Sequence, residues 1–202
     1  MQVKNQKCGN IAPMKDHDQY LGKNSQEVVF DLLHSFGAEY FFLMRYIPKT
    51  KSAGDRLVVF KLADIPELPD LLKIIGAIPD SEQSLVGIFS RLFTKTALRH
   101  IPMIDFSNSI VGEYGTDRVK EVMETLGQKS GVILESGRCY HFYGFLPMSS
   151  PEWLNFMKKG LKFGEIGPKY ITHQIADRGC TLRVSTNSYR PSMPKVIDFL
   201  HI

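Results

Sequence analysis

The sequence lacks the features that mark membrane, secreted and zinc-binding proteins. No apolar run approaches the roughly 20 residues that a helix needs to cross a bilayer, and the first residues do not form the apolar core of a signal peptide. The three cysteines, Cys8, Cys139 and Cys180, lie far apart and show no paired metal-ligand spacing. We therefore expect a cytoplasmic protein with reduced thiols and no membrane partner.

Motifs of several common enzyme classes are also missing. The glycines Gly54, Gly112 and Gly115 form neither a phosphate-binding loop of the Walker type nor a dinucleotide-binding fingerprint. The Gly-x-Ser-x-Gly pattern of serine hydrolases and the His-Glu-x-x-His pattern of zinc peptidases do not occur. A net charge of +4 is compatible with a polyanionic ligand but does not require one.

Helical and strand patterns are interspersed without regular alternation, which predicts an α+β fold. The 202 residues, 43% of them hydrophobic, suit one domain over residues 25–202. Residues 1–24 show no periodicity and are interpreted as a flexible arm. The predicted helices cover residues 25–37, 66–75, 81–93 and 116–126, with a further helix from residue 150. The predicted strands cover residues 40–47, 57–62, 98–106 and 179–185, with a final strand or docked segment in 189–202.

Four of these predictions rest on particular local signals. Ser25 and Ser150 are interpreted as helix N-caps, since serine often accepts the first free amide hydrogens of a helix. The dense apolar run 40–47 favours a strand buried on both faces. Residues 81–93 fit a helix or a strand, and the helical spacing of their leucines and phenylalanines favours the helix.

Residues 131–145 predict a hairpin that carries a histidine. Ser136 and Gly137 form its turn, because glycine adopts backbone conformations that are closed to other residues. His141 shares one face of the second strand with Cys139 and Tyr143. The amides, the hydroxyl and the imidazole could together bind a phosphate. The alternative is a structural histidine within the sheet.

Asp105 is the second candidate residue. It ends an apolar strand, where a carboxylate is costly unless a divalent cation or an arginine pairs with it. It could instead cap the following turn through Ser107 or Asn108.

A basic patch is the third candidate feature. Arg183 lies on the polar face of the predicted strand 179–185, and other basic residues of the second half of the chain could join it. Scattered arginines are more often ordinary surface residues. The aromatic residues of the hairpin could stack on bases or belong to the core. The additional basic residues are Arg138, His173, Arg178 and Arg190, and the aromatic residues are Tyr140, Phe142, Tyr143 and Phe145.

Four segments, taken in order, resemble the archaeo-eukaryotic primase superfamily, and most closely its primase 1D-like branch. They are residues 101–106, 135–143, 170–174 and 178–185. The most specific part is the string Ser-Gly-x-x-Tyr-His-x-Tyr that begins at Ser136. The resemblance covers roughly residues 98–198 and implies a primase-like fold with an RRM-like core, in which mixed or antiparallel sheets carry flanking helices.

The resemblance also implies site residues. In that family an acid at a strand end binds two divalent metals, and the histidine after the Ser-Gly turn contacts nucleotide phosphates. Asp105 would then be the catalytic, metal-binding acid for Mg²⁺ or Mn²⁺. The implied nucleotide-binding residues are Ser136, Gly137, Arg138, His141 and Arg183, and the basic residues next to nucleic acid are His173, Arg178 and Arg190.

The chain departs from the family pattern at the other two acids. The position of the second acid is Ser107, and near Gly167, where the third acid should stand, only Glu165 and Asp177 are available. One carboxylate provides too few ligands for two hard cations, because each cation needs several oxygen ligands.

Three functional hypotheses follow. The first is a domain that binds nucleotide or nucleic acid and has a degenerate metal site. The second is an active primase or nucleotidyltransferase in which Glu165 or Asp177 replaces the missing acid. The third is a structural or interaction protein without a ligand. The resemblance implies a role in DNA replication or defence, with partner proteins that supply missing functions.

Overall fold

The computed structural model of the protein describes residues 18–48, 55–106, 115–137 and 139–202. The helices in these ranges are α1 (Ser25–Ser35), α2 (Leu68–Ala77), α3 (Gly115–Thr125), α4 (Ser150–Gly160) and α5 (Pro168–Asp177). The strands are β1 (Ala38–Tyr46), β2 (Arg56–Lys61), β3 (Leu85–Thr94), β4 (Leu98–His100), β5 (Met103–Phe106), β6 (Ser130–Glu135), β7 (Tyr140–Gly144), β8 (Thr181–Arg183) and β9 (Lys195–His201). No helix in the described ranges is both long and apolar enough to span a membrane.

The strands form two antiparallel sheets. In the first, β2, β1 and β3 lie side by side, and β4 and β8 both pair with the other edge of β3. In the second, the order is β5-β7-β6-β9. The mixed α+β class with antiparallel sheets confirms the predicted fold class, and the predicted hairpin in 131–145 and the final strand are present as β6–β7 and β9.

The segment 81–93 is a strand, so the predicted helix is wrong. β3 is central in the first sheet, with β1 on one side and β4 and β8 on the other. Residues Leu85 to Ser90 are all buried, so both faces of the strand are covered there. A strand buried on both faces reads as a continuous apolar run, whose spacing can match a helix by chance.

The predicted strand 98–106 is two strands in two different sheets. β4 ends at His100, whose amide donates to Met148 O at 2.8 Å. Pro102 has no amide hydrogen to continue a ladder, and its carbonyl accepts a hydrogen bond from Gly144 N at 2.8 Å. The chain thereby passes from the first sheet to the second and brings Asp105 to their junction.

β1 is buried on one face only, which corrects the prediction of a fully buried strand over 40–47. Phe41 and Leu43 are fully buried in the main core, on the face that α1 contacts. Alternate residues point to the opposite face, where Phe42 and Met44 are only half-buried.

Two helix caps lie one residue before their predicted positions. Asn24 rather than Ser25 caps α1, since its side chain accepts from the amides of Gln26 and Glu27. Ser149 rather than Ser150 caps α4. In each case the serine predicted as the cap is the first residue of the helix.

The predicted arm 1–24 is ordered in its last part. Residues 1–17 lie outside the described residues. Tyr20 is 1% exposed and its ring lies 5.2 Å from that of Phe145. Gly22 N donates to Val196 O at 3.1 Å, so residues 18–24 are part of the packed fold.

Gly131→Ala is expected to lower the free energy of unfolding by roughly 1–3 kcal/mol, because overpacking a rigid site forces backbone shifts. A Cβ at Gly131 would lie 2.5 Å from Tyr143 O and 2.4 Å from the Phe142 ring. Urea-induced unfolding measures the effect. The control is Gly76→Ala in α2, where a Cβ meets nothing within 4 Å and helix propensity favours alanine by about 0.5–1 kcal/mol. Equal stability of the two variants would contradict the packing seen at Gly131.

Candidate functional site

A cleft of about 180 Å³ lies between the two sheets. β1 and β8 of the first sheet and β5 and β7 of the second each contribute to its wall. Its lining residues are Tyr46, Pro48, Leu85, Asp105, Ser136, Cys139, His141, Thr181, Leu182, Arg183 and Arg190.

Asp105 and His141 lie side by side in the cleft. They are direct partners in the register of β5 and β7, and His141 Nε2 is 3.7 Å from Asp105 Oδ1. Asp105 Oδ1 and His141 Nδ1 are buried and have no hydrogen-bond partner among the described residues. The rest of the Asp105 side chain opens into the cleft, where 42% of its surface is accessible. The pair therefore offers unused hydrogen-bonding capacity to a ligand.

Burial opposes charge on both side chains. It raises the pKa of Asp105 to about 7, an effect that Arg190 and Arg183 partly offset. It lowers the pKa of His141 to about 3, and the same two arginines lower this pKa further. At neutral pH the imidazole is therefore neutral, so the contact with Asp105 is not an ion pair despite the short distance.

Arg183 is buried, with 6% of its surface exposed, which corrects its predicted place on a solvent-facing side of the strand. Its guanidinium donates to three carbonyl oxygens: Nη1 to Ser185 at 3.0 Å and Ser192 at 2.7 Å, and Nη2 to Ser136 at 3.1 Å. These bonds fix a positive charge beside Asp105. No carboxylate among the described residues pairs with the guanidinium. Since Arg183 lines the cleft, its positive charge can attract an anionic ligand there.

Arg190 supplies the second positive charge. Its side chain is half-buried at the cleft wall, and no side-chain hydrogen bond or ion pair of Arg190 occurs within the described ranges. In contrast to Arg183, it can therefore turn its guanidinium toward a ligand without breaking a bond.

The Ser-Gly turn has the predicted backbone form. Gly137 has φ +93°, in the left-handed region that favours glycine. Ser136 Oγ donates to Cys139 O at 3.0 Å, and Ser136 N donates to the same oxygen at 2.9 Å. The hydroxyl and amide of Ser136 thus close the turn, which leaves neither of them free to bind a phosphate as predicted.

Several predicted residues lie away from the cleft. His173 and Arg178 are exposed on and just after α5, and neither lines the cleft. Asp177 is exposed as well. Glu165 is bound to Arg118, with Oε1 2.7 Å from Nη2. Arg138 lies outside the described residues.

The described residues do not fit a two-metal site. Among them no group of three histidine, cysteine or acidic side chains is arranged to hold a metal ion. Among the described residues the cleft has one carboxylate, since neither Glu165 nor Asp177 lines it with Asp105. Ser107, the position of the second acid, lies outside the described residues. Hard cations such as Mg²⁺ need more oxygen ligands than Asp105 alone provides.

The hairpin aromatics belong to the core. Tyr140, Phe142, Tyr143 and Phe145 are each at most 7% exposed, so they are not available to stack on bases. Tyr46 is one of the cleft residues that sequence analysis did not identify. It ends an apolar strand distant in sequence from every other lining residue except Pro48, and only the pairing of β1 with β3 brings it to the cleft.

Comparison with known proteins gives one family. The family described as archaeo-eukaryotic primase 1D-like matches residues 77–195, which is more than half of the chain. The match begins earlier than the resemblance over 98–198, so it includes β3, and it contains most of the cleft-lining residues. No curated protein and no solved structure matches the chain.

Asp105→Asn is expected to stabilise the protein increasingly as the pH rises. The folded-state pKa of Asp105 is about 7, above its ordinary value of 3.8, so the folded protein binds this proton more tightly than the unfolded chain does. Ionisation of Asp105 therefore destabilises the fold progressively between about pH 4 and pH 7. The difference in free energy of unfolding between variant and wild type should rise across this window and level off above it.

Urea unfolding at pH 5, 6, 7 and 8 measures this difference. Asp177→Asn removes one carboxylate from the exposed end of α5 and serves as the control. A difference for Asp105→Asn that stays constant with pH, or that falls, would contradict the raised pKa of Asp105.

Proposed function

The chain belongs to the archaeo-eukaryotic primase 1D-like family, and from this membership we propose that it is a primase-like domain that binds nucleotide or nucleic acid in the cleft. The phosphate groups of the ligand occupy the space beside Asp105 and His141. The observation that supports this proposal most directly is that two arginines, Arg183 and Arg190, line this one cleft.

The charge of the cleft favours an anion. Arg183 and Arg190 each carry a full positive charge, whereas His141 is neutral and Asp105 is only partly ionised near neutral pH. A phosphate that approaches these groups gains charge-assisted hydrogen bonds, which are stronger than those between neutral groups. Arg183 is already held in place, so its orientation costs no further entropy when the ligand binds.

The size of the cleft limits what it holds. A volume of about 180 Å³ is below the roughly 300–1,000 Å³ of pockets that enclose a drug-sized ligand. The phosphates of a nucleotide therefore enter, and the sugar and base remain outside. This division is expected of a site that binds many nucleotides with little regard to the base.

Asp105 and His141 complete the proposed site as hydrogen-bonding groups. A neutral imidazole can donate from one ring nitrogen and accept at the other. Asp105, when protonated, can donate to a phosphate oxygen. Their buried unpartnered atoms, Asp105 Oδ1 and His141 Nδ1, are consistent with a site that is completed by a ligand.

A second candidate function is a primase-type nucleotidyltransferase that uses Mg²⁺ or Mn²⁺. It is favoured by the position of Asp105 next to His141, as the family resemblance implies. It would need further carboxylates, which the described residues do not bring to Asp105. We therefore place binding first and polymerisation second. A domain that keeps the fold but binds neither ligand, as part of a larger complex, is the remaining alternative.

Arg190→Ala is expected to weaken the binding of ATP about tenfold or more, since a hydrogen bond to a charged group contributes about 1.5–3 kcal/mol. Isothermal titration calorimetry at one fixed salt concentration measures the affinity. The melting temperature of the unliganded variant should match that of the wild type, because Arg190 donates no side-chain hydrogen bond in the described part of the protein. Arg178→Ala, which removes a charge outside the cleft, is the control.

The two variants separate the alternatives. Equal affinities for Arg190→Ala and Arg178→Ala would contradict phosphate binding in the cleft. If the wild type shows neither heat of binding nor a rise in melting temperature at high ATP concentration, the ligand-free alternative holds, since a ligand of the folded state must stabilise it.

A primer-synthesis assay tests the second function. With a single-stranded template, Mn²⁺ and labelled nucleoside triphosphates, we expect no extended product from the wild type, because the one carboxylate that the described residues bring to the cleft does not hold two cations. Product that disappears with Asp105→Ala and persists with Asp177→Ala would establish the enzyme and overturn the binding-only proposal.

A further inference from the structure

The first sheet carries an apolar surface on the side opposite to α1. We call it the open face and define it by six residues: Tyr40, Phe42, Met44, Leu57, Val59 and Phe93. They lie together because they are cross-strand partners, Tyr40 with Phe93, Phe42 with Val59 and Met44 with Leu57. Partners in a ladder point to the same side of the sheet.

Four of the six side chains are strongly exposed, and Phe42 and Met44 are half-buried. The exposed fraction is 40% for Tyr40, 44% for Leu57, 55% for Val59 and 38% for Phe93. A single exposed apolar residue is ordinary, but a contiguous group on a flat sheet marks a surface that binds another molecule.

The open face is aromatic along its centre. The ring of Phe42 lies 5.9 Å from that of Phe93, and Tyr40 is the cross-strand neighbour of Phe93 on the same side. An antiparallel sheet that presents neighbouring aromatic rings is a platform on which unpaired nucleic-acid bases stack. Such stacking tolerates any base, because each base has a π-face.

One end of the open face leads into the cleft. Met44 Sδ accepts a hydrogen bond from Thr181 Oγ1 at 3.4 Å, and Thr181 lines the cleft. The Tyr46 ring, which also lines the cleft, covers Gly87, where a Cβ would lie 3.3 Å from it. Since Met44 and Gly87 are cross-strand partners, the exposed strip and the cleft form one continuous surface.

The other end of the open face is basic. Lys61 is the cross-strand partner of Tyr40, and Lys95 follows the end of β3. Both lysines, together with Tyr40 and the acidic residue Glu39, line a surface groove of about 540 Å³. With the arginines of the cleft at the opposite end, the strip has positive charge at both ends and aromatic rings between them. Phosphates and unpaired bases match this pattern, whereas an apolar protein surface matches only its centre.

We propose that the open face binds single-stranded nucleic acid, with its bases stacked on Tyr40, Phe42 and Phe93. The phosphates at one end of the bound strand contact Lys61 and Lys95, and the strand runs toward the cleft. The proposal rests on the proposed function of the cleft and adds the path by which a strand reaches it. A duplex does not fit, because its bases are already stacked and paired.

Replacement of an aromatic ring by an aliphatic side chain tests the proposal. The full chain is titrated into a fluorescein-labelled oligothymidylate of twelve nucleotides, and fluorescence anisotropy gives the affinity. Tyr40→Leu and Phe93→Leu should each weaken binding about tenfold, within the range that base–aromatic stacking contributes. The matched controls Tyr40→Phe and Phe93→Tyr keep the ring and should bind as the wild type does.

ATP binding, measured in parallel, separates this proposal from that for the cleft. Unchanged ATP affinity in the Leu variants, together with weakened oligonucleotide binding, supports the open face. Oligonucleotide binding that the Leu variants keep in full overturns it, and the cleft proposal then stands or falls with the ATP data alone.

Two other occupants would also overturn the proposal. A second copy on the open face would give a concentration-dependent dimer in analytical ultracentrifugation that Val59→Lys dissociates. Oligonucleotide binding that occurs only after deletion of residues 1–17 would assign the open face to that segment of the chain.

Discussion

The hydrogen bonds of the buried Arg183 guanidinium are the constraint on which the cleft depends. One side chain joins three parts of the protein: the strand β8 with the residues after it, the segment that contains Ser192, and the hairpin turn at Ser136. β8 belongs to the first sheet, Ser192 lies in the segment that leads to β9, and the turn at Ser136 belongs to the second sheet. Because the guanidinium is planar and has five donors in fixed directions, it sets the spacing of these segments as well as joining them. Loss of this side chain would remove a charge from the cleft and a support from its wall together.

The same constraint explains the electrostatics of the neighbouring pair. Where the two sheets converge, water is excluded from Asp105 Oδ1 and from His141, and their pKa values move toward neutrality of both groups. The arginines oppose this shift at Asp105 and reinforce it at His141. The cleft therefore contains positively charged arginines, while ionisation of the Asp105 carboxyl group is disfavoured. This arrangement suits an anionic ligand.

The sequence predicted the fold class and the hairpin that carries His141 more accurately than it predicted the strands around them. The Ser-Gly turn and the alternation along β7 depend on neighbouring residues only, and both features are present in the structure. The helix predicted for the segment of β3 was wrong, because long-range pairing with β1, β4 and β8 outweighs the helical spacing of its apolar residues. The roles of Tyr46 and Arg183 depend on which strands meet across the sheets, and no local pattern encodes this. The exposed side of β1 was missed for a related reason: a run of apolar residues does not reveal that, among the described residues, no element packs on one face.

The arrangement of β4 and β8 along one edge of β3 has a consequence for synthesis of the protein. β4 follows β3 closely in the chain, whereas β8 arrives only after both hairpin strands and two further helices have been made. On the ribosome, half of the β3 edge therefore stays unpaired until late in translation, and the second sheet also waits for β9. Folding that depends on such distant pairings is slow, and uncovered strand edges favour association with other nascent chains. Chaperone contact during translation is thus to be expected for this topology, at the stage when β3 has emerged and β8 has not.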